Sequence, residues 1–333
     1  MGEGALPAMI LKSLPILSRK VPGHQPGRLQ LDLDFAGRQI LGTRDEQQDS
    51  YAFSIVEGDD EGAEKLLVII ADGMGGYVGG REASLAAVSG FVDSYFEAID
   101  SAEGAADPTI GGTPAVASQI SDEESALAAQ CPPSSSTTSL PCPDLESPCP
   151  EGATSPLKTA LLAANNAVDT TIAANPDTLG EAGTTLVAAL IDRGSVGWIS
   201  VGDSPLLLWR KGKLSRLNAD HSMRAVLAEK VAAGQMRAGD IATHPERNAL
   251  LAVLNGLEIL KIDEPVEAVS LVSGDMVIAA SDGLLTLSPE EISKELKKHQ
   301  SSPILNVVRS LLDKVEKKGN PKQDNTSIAI VRV

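Results

Sequence analysis

The apolar run Val68-Ile69-Ile70-Ala71 stops at a carboxylate, Asp72, and Gly73, Gly75 and Gly76 follow within four residues. Such a run predicts a strand buried on both faces, and the glycines permit a sharp turn that would leave Asp72 at a strand terminus. Elsewhere the polar and apolar positions follow two periods. Leu29, Leu31, Leu33 and Phe35 alternate with Gln30, Asp32 and Asp34, the pattern of a half-buried strand over 29–35. Strands over 50–56 and 66–71 flank a turn at 58–62. Residues 185–191, 196–201, 206–209 and 214–217 then predict strands in close succession. Their linkers include Gly202-Asp203-Ser204 and Arg210-Lys211-Gly212-Lys213, so the pattern reads as an antiparallel meander. Two more strands, 266–271 and 276–280, surround Ser273-Gly274-Asp275, and a last one covers 326–333.

Helical spacing marks 82–99, with Ala83, Ala87, Phe91 and Tyr95 on one face, and 157–174, with Leu161, Leu162, Ala164 and Val168 toward a sheet. It also marks 221–233, 304–317 and 289–299, where Ser288 is the N-cap and Pro289 opens the helix. A surface excursion over 234–245 and a short helical turn over 248–254 complete the pattern. Strands outnumber helices and hairpin connections dominate, which predicts an α+β domain of antiparallel sheets flanked by helices.

The segment 101–155 breaks these periods. It is rich in Ala, Gly, Pro, Ser and Thr, and the wider stretch 82–157 carries twelve acidic residues and no Lys or Arg. So little apolar surface does not offset the entropy of ordering, which predicts a disordered acidic insertion. Cys131, Cys142 and Cys149 all fall there; an odd number with no CxxC pair favours exposed thiols over a disulfide framework or a zinc site. Residues 1–28, with four prolines by position 27, read as a flexible tail before a domain over 29–333.

The formal charge of -17 argues against a nucleic-acid surface, since phosphates would be repelled. No apolar run approaches the roughly 18 residues of a membrane span. Residues 5–17 are interrupted by prolines and lack a preceding basic segment, which makes them a poor signal peptide, and position 6 is Leu, which removes the case for myristoylation. The expectation is a soluble cytoplasmic protein.

Four aspartates share one setting. Asp72, Asp203 and Asp282 follow predicted strands and touch a glycine, and Asp324 shortly precedes the last strand. Any one alone is a common turn residue. Together they predict carboxylates converging on one edge of a sheet sandwich, an oxygen-only set suited to Mg²⁺ or Mn²⁺.

Arg44-Asp45-Glu46-Gln47-Gln48-Asp49, Ala71-Asp72-Gly73-Met74-Gly75-Gly76, Gly183-Thr184-Thr185, Gly202-Asp203-Ser204, Ser281-Asp282-Gly283 and Asp324-Asn325-Thr326 occur in the order, and at roughly the distances, of the protein phosphatase 2C family. The chain resembles the bacterial branch over 34–333, apart from the insertion. The resemblance implies a four-layer α-β-β-α sandwich and a binuclear Mn²⁺ or Mg²⁺ site. It implies a protein serine/threonine phosphatase whose water, activated between two metals, attacks phosphorus in line. Asp72 would bridge the metals, the Gly73 carbonyl would join one of them, and Asp282 and Asp324 would complete the other. Asp49 would hold the water, Arg44 would receive the phosphate, and Asp203 matches a ligand to a third metal in bacterial members. Phosphorylated proteins, products of a serine/threonine kinase, would be the partners.

Three positions depart from the family pattern. Gln48 stands where many members have Glu, Met74 where eukaryotic members place a histidine proposed as general acid, and Tyr77 where a histidine is frequent. Residues 219–260, with His221 near the start and His244-Pro245-Glu246-Arg247-Asn248 within, correspond to the family's flap. Substrate discrimination and loop packing both fit these flap residues. His24 and His299 read as solvated, and Lys297 and Lys298 as complements to a helix dipole. Two rivals to the active phosphatase are a catalytically weak member that binds phosphoproteins or regulators, and a small-molecule phosphatase. A pure binding module has no need of a carboxylate set that repels itself without metal.

Overall fold

The run Leu66-Leu67-Val68-Ile69-Ile70-Ala71 lies within strand β3 (Glu64–Met74), between β2 (Asp49–Glu57) and β5 (Leu186–Ile191). Its two faces go to different cores. Leu66, Val68 and Ile70 face the interior between two sheets, whereas Leu67, Ile69 and Ala71 pack beneath helices. The structure is a computed structural model that describes residues 33–57, 64–75, 79–104, 155–241, 243–247 and 249–333.

One sheet runs β2-β3-β5-β6-β9, with β6 (Ser195–Val201) and β9 (Val269–Ser270), and β4 (Gly183–Thr184) pairs with the end of β3. The other runs β1-β11-β10-β7-β8: β1 (Asp34–Ile40), β11 (Thr326–Arg332), β10 (Met276–Ala280), β7 (Leu206–Arg210) and β8 (Lys213–Arg216). All the ladders are antiparallel. Phe53, Val187, Trp198, Leu208, Val277, Ala329 and their neighbours fill the space between the sheets.

Helices α1 (Gly80–Gly104) and α2 (Pro156–Ala174) cover the first sheet, and α5 (Pro289–Lys298) and α6 (Ile304–Lys317) cover the second. The architecture is therefore the four-layer α-β-β-α sandwich. A Cβ on Gly90 would stand 2.7 Å from Ala167 Cβ, so the close contact of α1 with α2 depends on that glycine. Ser288 caps α5 in a capping box with Glu291, as its sequence predicts. Two short helices, α3 (Pro176–Leu179) and α4 (Met223–Ala232), lie in the connections. Among the described residues, no helix is long and apolar enough to cross a membrane.

Several expectations are corrected. Of the strand expected over 29–35, residues 29–32 lie outside the described residues; the described strand, Asp34–Ile40, runs past the expected end because its pairing with β11 (Asp34↔Arg332 to Ile40↔Thr326) continues beyond the alternation. The meander is split. β6 and β7 belong to different sheets, so Gly202-Asp203-Ser204 is a crossover between layers and not a hairpin turn. Likewise β9 and β10 lie in different sheets, and β9 keeps only two residues, with Val266 fully exposed. Residues 249–254 contain no helix; Leu250 and Leu254 make isolated bridges to Ser222 and Thr184. Leu162 is exposed on α2. His299 is not solvated: its Nε2 lies 3.1 Å from Ser310 Oγ and 3.2 Å from Glu295. The tail 1–28, the turn at 58–62, Tyr77, Asn248, the three cysteines and nearly all of the insertion lie outside the described residues.

Candidate metal centre

The site grows out of strand periodicity. In the β2–β3 ladder Asp49 is the direct partner of Asp72, and directly opposed residues carry their side chains on one face. Counting by twos from Phe53 and from Ile70, both inward-facing, that face is the space between the sheets. Asp72 thus sits inside β3 and not at its terminus, because the strand gains a new partner beyond it: Gly73 pairs with Thr184 and Met74 with Gly183.

The same count along β10 carries the inward series Val277, Ala279 on to Ser281. Its hydroxyl donates to Asp49 Oδ2 across the sandwich at 2.7 Å and accepts the Ser327 N–H at 2.9 Å. Asp282 follows at once and opens a 3-10 helix, Asp282–Thr286. Gly283 is required there, since a Cβ would lie 2.1 Å from the Asn325 carbonyl oxygen.

The quoted motifs are seen to hold the aspartates in place. Thr185 donates its N–H to the Asp72 carbonyl (2.9 Å) while its Oγ1 accepts the Asp72 N–H (3.2 Å), and Thr184 Oγ1 donates to that carbonyl (2.9 Å). The Asn325 side chain accepts the Gln48 N–H and donates to the Leu41 carbonyl, each at 2.8 Å. With Thr43 donating to the Gln323 carbonyl at 2.9 Å, this ties the loop that carries Arg44 to the loop that carries Asp324. Gln48 contributes backbone: its carbonyl accepts the Gly73 N–H and the Ser84 hydroxyl. Asp203 stands just after Gly202 (φ 101°), and its carbonyl accepts from Arg216 at 2.9 Å.

Mutual repulsion marks the cluster. Burial pushes Asp72 well above the ordinary carboxylate range, and the charges of Asp49, Asp282, Asp324 and Asp203 push it further. Burial raises Asp49 to about 6 against the opposing hydrogen bond from Ser281. Asp282 is raised to about 7, by burial first and then by Asp203, Asp324 and Asp49. Burial also raises Asp203, with Asp220 adding to it and Arg224 and Arg216 opposing.

Two arginines approach from opposite elements. Arg44 Nη2 lies 2.5 Å from Asp324 Oδ2, and Arg224 Nη2 lies 3.6 Å from Asp203 Oδ2. Among the described residues no three acidic, histidine or cysteine side chains form a ready-made cage for an ion. The donor set nonetheless fits a hard divalent cation. All its side-chain donors are carboxylate oxygens, they repel one another, and buried Asp49 Oδ1 has no hydrogen-bond partner.

No family model matches the chain. Curated relatives do: it is 33% identical over 120 residues to the serine/threonine phosphatase Stp of Listeria welshimeri, covering 36% of this chain and 46% of the relative. It is 31% identical over 150 residues to a protein phosphatase 2C-type protein of Streptococcus pyogenes, covering 45% and 57%. A solved structure of the serine/threonine phosphatase PstP catalytic domain in complex with two manganese ions superposes with a TM-score of 0.57 at 21% identity, over 90% of this chain and 97% of that one. Over these stretches the chain is similar to bacterial serine/threonine phosphatases and to a protein phosphatase 2C-type protein, and its fold is that of the solved phosphatase domain. The alignments span about half the length of these two curated relatives.

Of the residues singled out by their motifs, the structure brings Arg44, Asp49, Asp72, Gly73, Asp203, Asp282 and Asp324 to one end of the sandwich. Gly73 is buried there, with room for no side chain: a Cβ would stand 2.0 Å from the Gly80 carbonyl oxygen. Met74 is 40% exposed beside it. Sequence reasoning missed Ser281 as a donor to Asp49, although strand period alone points it inward, and it missed Arg224, for which no motif gave a signal.

Proposed function

We propose that the protein is a metal-dependent protein serine/threonine phosphatase, acting on phosphoserine and phosphothreonine left in proteins by a serine/threonine kinase. The observation that carries this reading is the cross-strand pair Asp49–Asp72 on the inner face, coupled to Asp282, Asp324 and Asp203 and flanked by Arg44. Asp72 would bridge two Mn²⁺ or Mg²⁺ ions, with the Gly73 carbonyl on one and Asp282 and Asp324 on the other, and Asp203 would serve a third. Bound there, such ions supply Lewis-acid polarisation of the phosphoryl oxygens and a water acidic enough to attack near neutral pH.

The chain's own groups do the rest. The Arg44 guanidinium offers a planar fork of N–H donors to two phosphoryl oxygens; 54% of its side-chain surface is open to solvent. Asp49 is oriented by Ser281 through Oδ2, so Oδ1 is left to accept a hydrogen bond from the attacking water. Met74 offers no proton to the leaving alkoxide, which assigns that proton to solvent.

The deciding assay measures turnover of a phosphothreonine peptide and of a small aryl phosphate with Mn²⁺, with Mg²⁺ and with chelator, beside Asp282→Asn. Metal-dependent peptide hydrolysis lost in the variant supports the enzyme. Turnover that persists in chelator would sink the mechanism, and absence of turnover with any metal would favour the binding module.

A further inference from the structure

Arg224 enters the acidic cluster from the flap, in the first turn of α4. Its attachment is loose. Leu227 is the sole buried residue of α4 among the described residues, the guanidinium keeps 40% of its side-chain surface, and its approach to Asp203 is 3.6 Å, too long for a hydrogen bond. Its Nε is buried with no hydrogen-bond partner. Asp203, by contrast, is fixed: it is buried, its turn is held by the crossover, and its carbonyl accepts from Arg216. A structural ion pair would be expected to be short and to satisfy all its donors. This one joins a fixed carboxylate to a cation on a lightly anchored helix.

We propose that Arg224 is a tethered competitor for the Asp203 carboxylate, so that a divalent cation binds Asp203 only by displacing the guanidinium. The inference rests on the metal reading above and goes beyond it by naming what opposes ion entry. A guanidinium does not release a carboxylate by losing its proton, so it must move away as a charge. Displacement requires only rotation of the side chain or a shift of α4, which little apolar burial resists. The cation served by Asp203 is therefore the weakest bound of the set, and the flap's position sets its affinity. An ion pair of this length and exposure corresponds to about a two- to fivefold change in that affinity.

The test titrates Mn²⁺ into chelator-treated full-length protein by calorimetry, with free Mn²⁺ followed by electron paramagnetic resonance, at fixed pH and ionic strength. Wild type, Arg224→Ala, Arg224→Lys, Asp203→Asn and the Asp203→Asn/Arg224→Ala pair are compared, each checked for folding by thermal melt. The weakest binding step should tighten about two- to fivefold in Arg224→Ala and stay near wild type in Arg224→Lys. In Asp203→Asn that step should vanish, with or without Arg224. An unchanged or weakened step in Arg224→Ala overturns the inference, as does tightening that persists without Asp203. If Arg224→Ala leaves Mn²⁺ binding alone and weakens inhibition by inorganic phosphate, the residue is a phosphate contact and the inference is again overturned. No Mn²⁺ binding by wild type would defeat the metal reading itself, an outcome separable from the others.

Discussion

Replacing Asp282 by Asn should stabilise the ion-free protein at alkaline pH while abolishing turnover. The carboxyl is raised from an ordinary 3.8 to about 7. Below 3.8 both folded and unfolded chains hold the proton, and no penalty exists. Between 3.8 and about 7 the unfolded chain ionises while the folded one keeps its proton, so stability falls as pH rises, and above 7 the penalty is complete. A raise of this size corresponds to about 4 kcal/mol. Since Asp203, Asp324 and Asp49 share the repulsion, a single neutral amide should recover about half, roughly 2 kcal/mol, or about 4–8 °C in Tm for a domain of this size. The assay is a thermal melt in chelator from pH 4.5 to 8.5. Wild type should lose Tm across that range, and the variant should lose less, so that the two curves separate above pH 7 and approach each other near pH 4.5. A variant that melts at or below wild type at pH 8 would refute the reasoning, as would a wild-type Tm that rises between pH 5 and 7.

Ser281→Ala removes the donor that lowers the Asp49 carboxyl, so the acidic limb of the metal-dependent pH–rate profile should move to higher pH by about half a unit to one unit. Gly202→Ala puts a Cβ 2.6 Å from Thr185 Cβ at a φ of 101°; it should cost about 2–4 kcal/mol in chemical denaturation and disturb both Asp203 and the Thr185 clamp on Asp72. Asp263 Oδ2 accepts from Trp198 Nε1 (2.8 Å) and from the Ala219 N–H (2.9 Å), so Asp263→Ala leaves both donors unpaired. It should cost about 2 kcal/mol, and hydrogen exchange should quicken over 219–260 before the rest of the domain.

Much of this was legible because strand period and motif residues agree. The run 66–71, the strand 276–280 and the helices at 289 and 304 announce themselves by apolar spacing and capping residues; the structure places the last three within a residue, and extends the first to Glu64–Met74 because the strand gains a new partner beyond Asp72. The aspartates were legible as a set, since each lies in a strand or within two residues of one. The assignment of consecutive strands to sheets was not. Gly202-Asp203-Ser204 has hairpin composition, and only the packing of Leu206 and Leu208 on the opposite inner face shows that the chain crosses layers there. Arg224 was invisible for a similar reason: it meets Asp203 only because the flap folds back over the crossover. The extension of the first strand from 35 to Ile40 was not legible because Gly37, Arg38 and Gln39 carry no apolar alternation, and their place comes from β11 and from the rings of Tyr51 and Phe53 over Gly37.

The direct opposition of Asp49 and Asp72 has a consequence for how the chain reaches its native state. The two carboxylates are directly opposed only in one register of the β2–β3 hairpin; a slip of one residue would send one of them to the helical side. Their repulsion disfavours the correct register during folding, when no ion is present, and the apolar pairs Tyr51–Ile70 and Phe53–Val68 must enforce it. An ion bound at the proposed centre would then act as a proofreader. It would reward only hairpins aligned as in the native protein, so the centre proposed to perform chemistry would also certify the strand alignment on which it depends.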